Sequence, residues 1–246
     1  MRAVILSGSG RYADPWHPYA ETSAALAEIV EAAGFTTIVT RDVDAALAGL
    51  DDSVRLIVVN AGDPAGPVPR DVRDSRVPVP DGPQPGEAAD PEVITAANAA
   101  LDAAVDRGVG VLAMHAAASS LRDYPAFDRL IGARWERGRS WHPPIGDAHV
   151  HVVGDHRIAA GLADFRVFDE RYADLRRFEA VEPIAGHEHD GRWHPLVWAR
   201  ESGRSRLVYD ALGHDARSFV SSGHRELLVR SLDWLAGAPT GSADPR

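Results

Sequence analysis

The stretch Gly108-Val109-Gly110-Val111-Leu112-Ala113-Met114-His115 decides how this chain is read. From Val109 to Met114 it is apolar without alternation, the pattern of a strand covered on both faces, as in the parallel sheet of an α/β domain. Gly108 stands where the helical pattern over 92–107 should stop. At its other end the strand runs into a histidine flanked by small residues, Ala113-Met114-His115-Ala116-Ala117. A sharp strand-to-helix turn of the nucleophile-elbow kind would hold that central side chain above the sheet. The pattern is weak by itself in an alanine-rich chain, and a core imidazole bonded to a nearby carbonyl competes with it equally.

Working outward, residues 3–6 read as a short buried strand ending in Ser7-Gly8-Ser9-Gly10, and residues 19–33 as a helix stopped by Gly34. A strand over 35–39, a short helix over 42–50 and a strand over 54–59 continue a β-α-β-α-β order. Residues 62–91 contain eight prolines and no period, so an exposed loop or insertion is expected there. A surface helix over 124–131 closes at Gly132. Beyond it come strand candidates at 148–153, 166–168, 178–185, 196–199 and 205–209, then a helix over 224–235. The expectation is a single domain over 1–237 with a disordered tail over 238–246. Its fold class is α/β, doubly wound around a mostly parallel sheet of the flavodoxin-like kind, with a loop-rich, more antiparallel C-terminal part.

Composition narrows the chemistry. The chain of 246 residues has no cysteine, which excludes thiolate nucleophiles, disulfides and Cys-ligated metals. All 26 basic residues are arginine, which removes Schiff-base lysines and the phosphate-binding lysine of a P-loop. A net charge of −10 without a dense basic run argues against nucleic acid and favours a neutral or cationic small ligand. The apolar stretch at the start is far too short for a signal peptide or membrane span, so a cytoplasmic location is expected, with no membrane partner.

Ligands in open parallel sheets collect beyond the carboxyl ends of the strands. Three such loops hold histidines: His17, His115, and His214 followed by Asp215. A fourth segment, Asp169-Glu170-Arg171-Tyr172, brings carboxylates after a strand candidate. His149, His151 and His156 read as a solvated strand face. His187, His189 and His194 flank a hairpin turn at Asp190-Gly191 and stay outside the candidate site.

With these segments in view, the chain resembles the ThuA-like (trehalose utilisation) family, whose fold is related to class I glutamine amidotransferases. The resemblance rests on 108–115, Tyr124 through Gly132-Ala133, Trp141-His142-Pro143 and Phe168-Asp169-Glu170-Arg171-Tyr172. Pro195-Leu196-Val197-Trp198, Gly203-Arg204-Ser205-Arg206-Leu207-Val208-Tyr209, Leu212-Gly213-His214 and Trp234 complete it. The loop over 62–91 departs from it. The family implies sugar metabolism, with trehalose-related or oxidised sugars as substrate class, and site residues at His17, His115, Glu170 and His214, with His142 as a further candidate. Where the amidotransferases carry a cysteine, this chain has His115, and an imidazole cannot replace the thiolate in acyl-enzyme chemistry. Glutaminase activity is excluded on that ground.

Three readings of the site stay open at this level. In the first, His17, His115, Glu170 and His214 hold a zinc-like divalent metal that assists elimination, isomerisation or hydrolysis at a sugar carbon, with Glu170 or Asp215 as base. In the second, His115 or His214 is a metal-free general acid–base oriented by Asp215 or Glu170. In the third, the cleft is a non-catalytic carbohydrate-binding or sensing module with Trp16, Trp141, Trp193 and Trp198 as stacking candidates. The sequence implies no nucleotide cofactor, and a homo-oligomer is compatible with it.

Overall fold

The computed structural model describes residues 1–63 and 90–237, so most of the proline-rich segment and the whole expected tail over 238–246 lie outside the described residues. The regular alternation is present: β1 (Arg2–Ser7), α1 (Tyr19–Ala32), β2 (Thr36–Thr40), α2 (Val43–Ala48), β3 (Val54–Asn60), α3 (Pro91–Arg107) and β4 (Gly110–Met114). After it come α4 (Pro125–Ile131), β5 (Ala133–Arg134), β6 (Gly146–Val152), β7 (Phe165–Asp169), β8 (Arg176–Arg177), β9 (Glu182–His189), β10 (Arg192–Ser202), β11 (Ser205–Asp210) and α5 (Ser222–Ala236).

Nine strands form one sheet in the order β2-β1-β3-β4-β11-β10-β9-β6-β7. The block from β2 to β11 is parallel, and every pairing from β11 outward to β7 is antiparallel. The chain leaves β1 in one direction to form β2 and returns past it to form β3 and β4. Right-handed crossovers then put α1 on one face and α2 and α3 on the other, the doubly wound arrangement. Every residue of β4 and of β11 is buried, as the unbroken apolar run at 109–114 requires. Gly108 caps α3 in the left-handed region, at φ 93°, where a side chain would be strained.

A second constraint fixes the loop after β1. The buried Asp44 carboxylate of α2 accepts hydrogen bonds from the hydroxyls of Tyr12 and Tyr124, both at 2.6 Å, and from the Arg11 guanidinium at 2.9 Å. One residue thereby ties the β1 loop to α2 and to the start of α4.

The antiparallel half shows where periodicity falls short. Asp190 and Gly191 both have positive φ, 50° and 70°, and form a two-residue hairpin turn between β9 and β10. That turn extends both strands through polar residues, to His189 on one side and from Arg192 on the other. The strands are therefore longer than their apolar centres at 178–185 and 196–199 suggest. Residues 178–181 lie before β9, and the backbone N–H groups of Phe178 and Glu179 bond Gly132 O instead.

Two buried histidines in this half are shifted in opposite directions. His187 donates from Nε2 to Tyr172 O at 3.2 Å, and burial pushes its imidazole down to about 4. His224 donates from Nε2 to Asp210 Oδ2 at 2.9 Å and has the Ser218 carbonyl 3.1 Å from Nδ1. Burial opposes the charge on His224, but Asp210 raises its pKa.

A histidine whose folded pKa is depressed contributes stability above its unfolded pKa, and that contribution is lost as pH falls toward the folded value. The His187 contribution to stability measured by urea unfolding should fall between pH 7 and pH 5. His187→Gln, which keeps a donor for Tyr172 O, should remove about 2 kcal/mol of that fall; an unchanged pH dependence would contradict the assignment. Asp210→Asn leaves the fully buried His224 without its counter-charge and should cost about 3 kcal/mol at pH 7 in the same measurement.

Candidate functional site

β4 delivers its chain to the site through a strained residue. His115 has φ 41°, a left-handed conformation costly for a side-chain-bearing residue, and the 3-10 turn His115–Ala118 follows it. Packing and hydrogen bonds hold it there. Its carbonyl accepts the Tyr209 hydroxyl at 2.8 Å, and its Nδ1 lies 2.6 Å from Ala211 O, just beyond the end of β11. A carbonyl oxygen only accepts, so Nδ1 carries a hydrogen, and in the neutral ring Nε2 presents a lone pair to the site.

The loop between β1 and α1 brings His17 against it. Asp14 Oδ1 accepts the backbone N–H groups of Trp16 and His17, each at 3.0 Å, which folds the loop around its carboxylate. The Tyr19 hydroxyl donates to Oδ2 at 2.6 Å, and His17 Nδ1 lies 2.7 Å from both oxygens. Burial alone would raise the Asp14 carboxyl, but His17 and these donors hold it below the usual range. The backbone at Gly62 passes so close that a Cβ there would lie 2.8 Å from Asp14 Oδ2 and 2.5 Å from the Tyr19 hydroxyl. With its Nδ1 hydrogen committed to Asp14, a neutral His17 would also direct a lone pair inward. The two Nε2 atoms, of His17 and His115, face each other at 3.1 Å.

Glu170 and His214 arrive on two further loops that share one clamp. The fully buried Asp169 accepts the backbone N–H of Glu170 at 2.8 Å, of Gly213 at 2.7 Å and of His214 at 3.2 Å. Gly213 sits at φ 110° in this turn, a conformation that favours glycine. Glu170 Oε2 is 3.4 Å from His115 Nε2 and 3.3 Å from His214 Nδ1. That Nδ1 is buried without an aligned hydrogen-bond partner. Desolvation would raise the Glu170 carboxyl, yet His115 and His214 hold it well below its ordinary value. His214 is raised in turn, with burial opposing and Glu170 supplying the attraction.

His17, His115, Glu170 and His214 thus offer one ligand atom each, all within 4.8 Å of one another, which is the set a small divalent cation would need. Tyr172 donates its hydroxyl to His115 Nε2 at 2.9 Å; burial and then Glu170 raise its pKa well above 10, so it stays protonated. His142 stands at the edge of the cluster, half-exposed, with Nε2 3.6 Å from Glu170 Oε1. A cavity of about 530 Å³ opens beside His17 and His214, with Trp16 and Glu21 on its wall.

Of the six sequence candidates four converge, His142 stands at their edge, and Asp215 does not join them. Its carboxylate caps the 3-10 turn Ala216–Val220 through Arg217 N at 2.9 Å and pairs with the Arg217 guanidinium at the cavity rim. Of the tryptophans, Trp198 is a core residue donating to Ile131 O, Trp141 donates to Asp174, and Trp193 stands exposed away from the cavity lining. Sequence reading missed Asp14, Asp169, Tyr172 and Trp135, whose ring packs edge-on against Tyr172 at 4.7 Å. Asp14 was detectable as an acid three residues before His17; Asp169 and Tyr172 flank Glu170 within a segment already singled out.

The sequence profile of the ThuA family, described as trehalose utilisation, matches residues 2–235. Among curated proteins none matches the chain. A ThuA-like protein from Parabacteroides merdae superimposes with a TM-score of 0.71 at 20% identity, covering 100% of this chain and 92% of that one. Another from Bacteroides uniformis gives 0.66 at 16% identity, with 97% and 94% covered. A GMP synthase protein from Thermoplasma acidophilum gives 0.54 at 11%, with 96% and 94% covered, a likeness of fold alone. By the match over nearly its whole length, the chain belongs to the ThuA family.

Proposed function

We propose that this protein is a carbohydrate-active enzyme that binds a zinc-like divalent cation through His17, His115, Glu170 and His214. Its substrate would be a sugar, keto-sugar or glycoside, and its reaction an elimination, isomerisation or hydrolysis at a sugar carbon. The observation that carries the reading is the pair of Nε2 atoms facing at 3.1 Å, each with its Nδ1 hydrogen committed elsewhere. With both rings neutral, this contact brings two imidazole lone pairs together, which a cation between them would relieve. Backing of ligating histidines by a carbonyl and a carboxylate, here Ala211 O and Asp14, is the outer-shell pattern of metal sites. The family's description supplies the substrate class.

A bound cation of this type would polarise a sugar carbonyl or hydroxyl. The chain's own groups do the rest. Glu170, ionised at neutral pH, is positioned to take a proton, and Tyr172, protonated, to give one to a substrate oxygen. His142, half-exposed beside Glu170, can orient a sugar hydroxyl at the mouth. The proposed partner is a small sugar, and a cytoplasmic location remains part of the proposal. Among the described residues no helix is long and apolar enough to cross a membrane.

One observation favours a metal-free alternative: the close contact of His17 Nδ1 with both Asp14 oxygens would also stabilise an imidazolium that shares its Nε2 proton with His115. Metal analysis of protein purified without a nickel column separates the two. The proposal expects one bound divalent ion per central site, lost in His17→Ala and in His214→Ala. Asp14→Asn should weaken binding by about 10–100-fold without removing a ligand. Absence of binding at saturating zinc, with turnover of a keto-sugar that survives chelator, would establish the acid–base reading instead.

A further inference from the structure

On the exposed face of the antiparallel half, His149 and His151 lie two residues apart on β6 and so project from the same side of the strand. Asp164, the residue before β7, stands across from His151 in continuation of the β6–β7 register. Its Oδ1 accepts the backbone N–H of Val152 at 2.9 Å, which fixes the carboxylate and leaves Oδ2 turned toward the histidines. His151 Nδ1 is 2.9 Å from Oδ2 and His149 Nε2 is 3.9 Å from it, while the two imidazoles pack with centroids 4.3 Å apart. We propose that His149, His151 and Asp164 form a second divalent-cation site, independent of the central cluster, that takes zinc or a similar imidazole-preferring transition ion.

Three features support it over a mere surface ion pair. An ion pair of His151 with Asp164 has no use for His149, yet both imidazoles converge on the same carboxylate oxygen. The three ligand atoms lie within 4.8 Å of one another. Ligands around a tetrahedral zinc with bonds of ~2.0–2.1 Å sit about 3.3 Å apart, so small side-chain rotations close the set. Two of the ligands ride on one strand and the third is held by a backbone hydrogen bond, so little ordering remains to be done on binding. Two imidazoles and a carboxylate suit zinc, nickel or copper and are poor ligands for calcium or magnesium. Arg166 opposes His149 in the register and adds positive charge, against which the Asp164 carboxylate works. The remaining coordination positions face solvent. Such an ion would cross-link β6 to the start of β7, the outermost strands at this end of the sheet.

Equilibrium dialysis against zinc at pH 7.5 tests the site, using wild type, His149→Ala, His151→Ala and the double variant, each also in a His17→Ala background. The expected result is one equivalent of zinc lost in the double variant in both backgrounds, and at least tenfold weaker binding of that equivalent in His149→Ala alone. Zinc should also raise the thermal midpoint of the His17→Ala protein but not of the triple variant. All three residues are partly or well exposed, so the substitutions leave the core untouched. Equal zinc stoichiometry and affinity in wild type and the double variant would overturn the proposal. Failure of the central-site reading reads out separately, as no change in stoichiometry on introducing His17→Ala.

Discussion

The hydrogen bond between His115 Nδ1 and the Ala211 carbonyl joins the ends of two adjacent parallel strands, β4 and β11, at 2.6 Å. It settles more than position. With that nitrogen protonated, the neutral ring leaves Nε2 as an acceptor, which the Tyr172 hydroxyl meets; His17 Nε2 and, a little farther out, Glu170 also face it. The opposite tautomer would leave Ala211 O unbonded and convert the same residues into an ordinary donor–acceptor chain. The left-handed backbone of His115 costs energy, and the Tyr209 hydroxyl on its carbonyl helps to keep it in place.

Charge balance follows from this tautomer. Asp14, Asp169 and Glu170 lie together behind and within the cluster, and each is met by a different set of partners. Asp14 accepts from N–H groups, one hydroxyl and His17; Asp169 from three backbone N–H groups; Glu170 is faced by histidines. No arginine is paired with any of the three among the described residues, although arginines pair with other acids throughout the surface. Buried carboxylates served only by neutral donors and imidazoles leave local negative charge uncompensated, which a low-dielectric site penalises. A bound cation, or protonation of the histidines, of which His214 is already raised by Glu170, would offset it.

The fold was legible because its evidence is local and redundant. The apolar run at 109–114, the glycines at 34, 108 and 132 and the alternation of patterns each point to the same α/β arrangement. In the antiparallel half the strands were legible at their apolar centres, but β9 and β10 were cut short around Asp190-Gly191, because strands with one polar end look shorter than they are. In the site, His17, His115, Glu170 and His214 could be named from their places after strands, since topology gathers such loops at one end of the sheet. Asp215 shows the limit of that logic. It is adjacent to His214, but the next residue in the chain already begins a 3-10 turn, and its side chain is used as the cap. Asp14 escaped notice, and Asp169 was seen only as a carboxylate after a strand, because their function is to accept backbone N–H groups, and sequence does not reveal which loop an acid will fold around itself.

The likeness in fold to a GMP synthase protein, at 11% identity, illustrates why the scaffold does not carry the chemistry with it. An elbow after the central strand delivers one side chain to a fixed point above the sheet, whichever residue stands there. A thiol at that point offers a single reactive atom. An imidazole has two nitrogens, so one can be spent on anchoring to β11 while the other faces the site. That division leaves Nε2 of the neutral ring free to accept or to ligate, and His17, on a different loop, is oriented by its own carboxylate in the same sense. The two histidines are thus matched by their outer partners, Ala211 O and Asp14, before any ligand arrives. In this arrangement the outer groups, as much as the four inner residues, fix which nitrogen each imidazole presents.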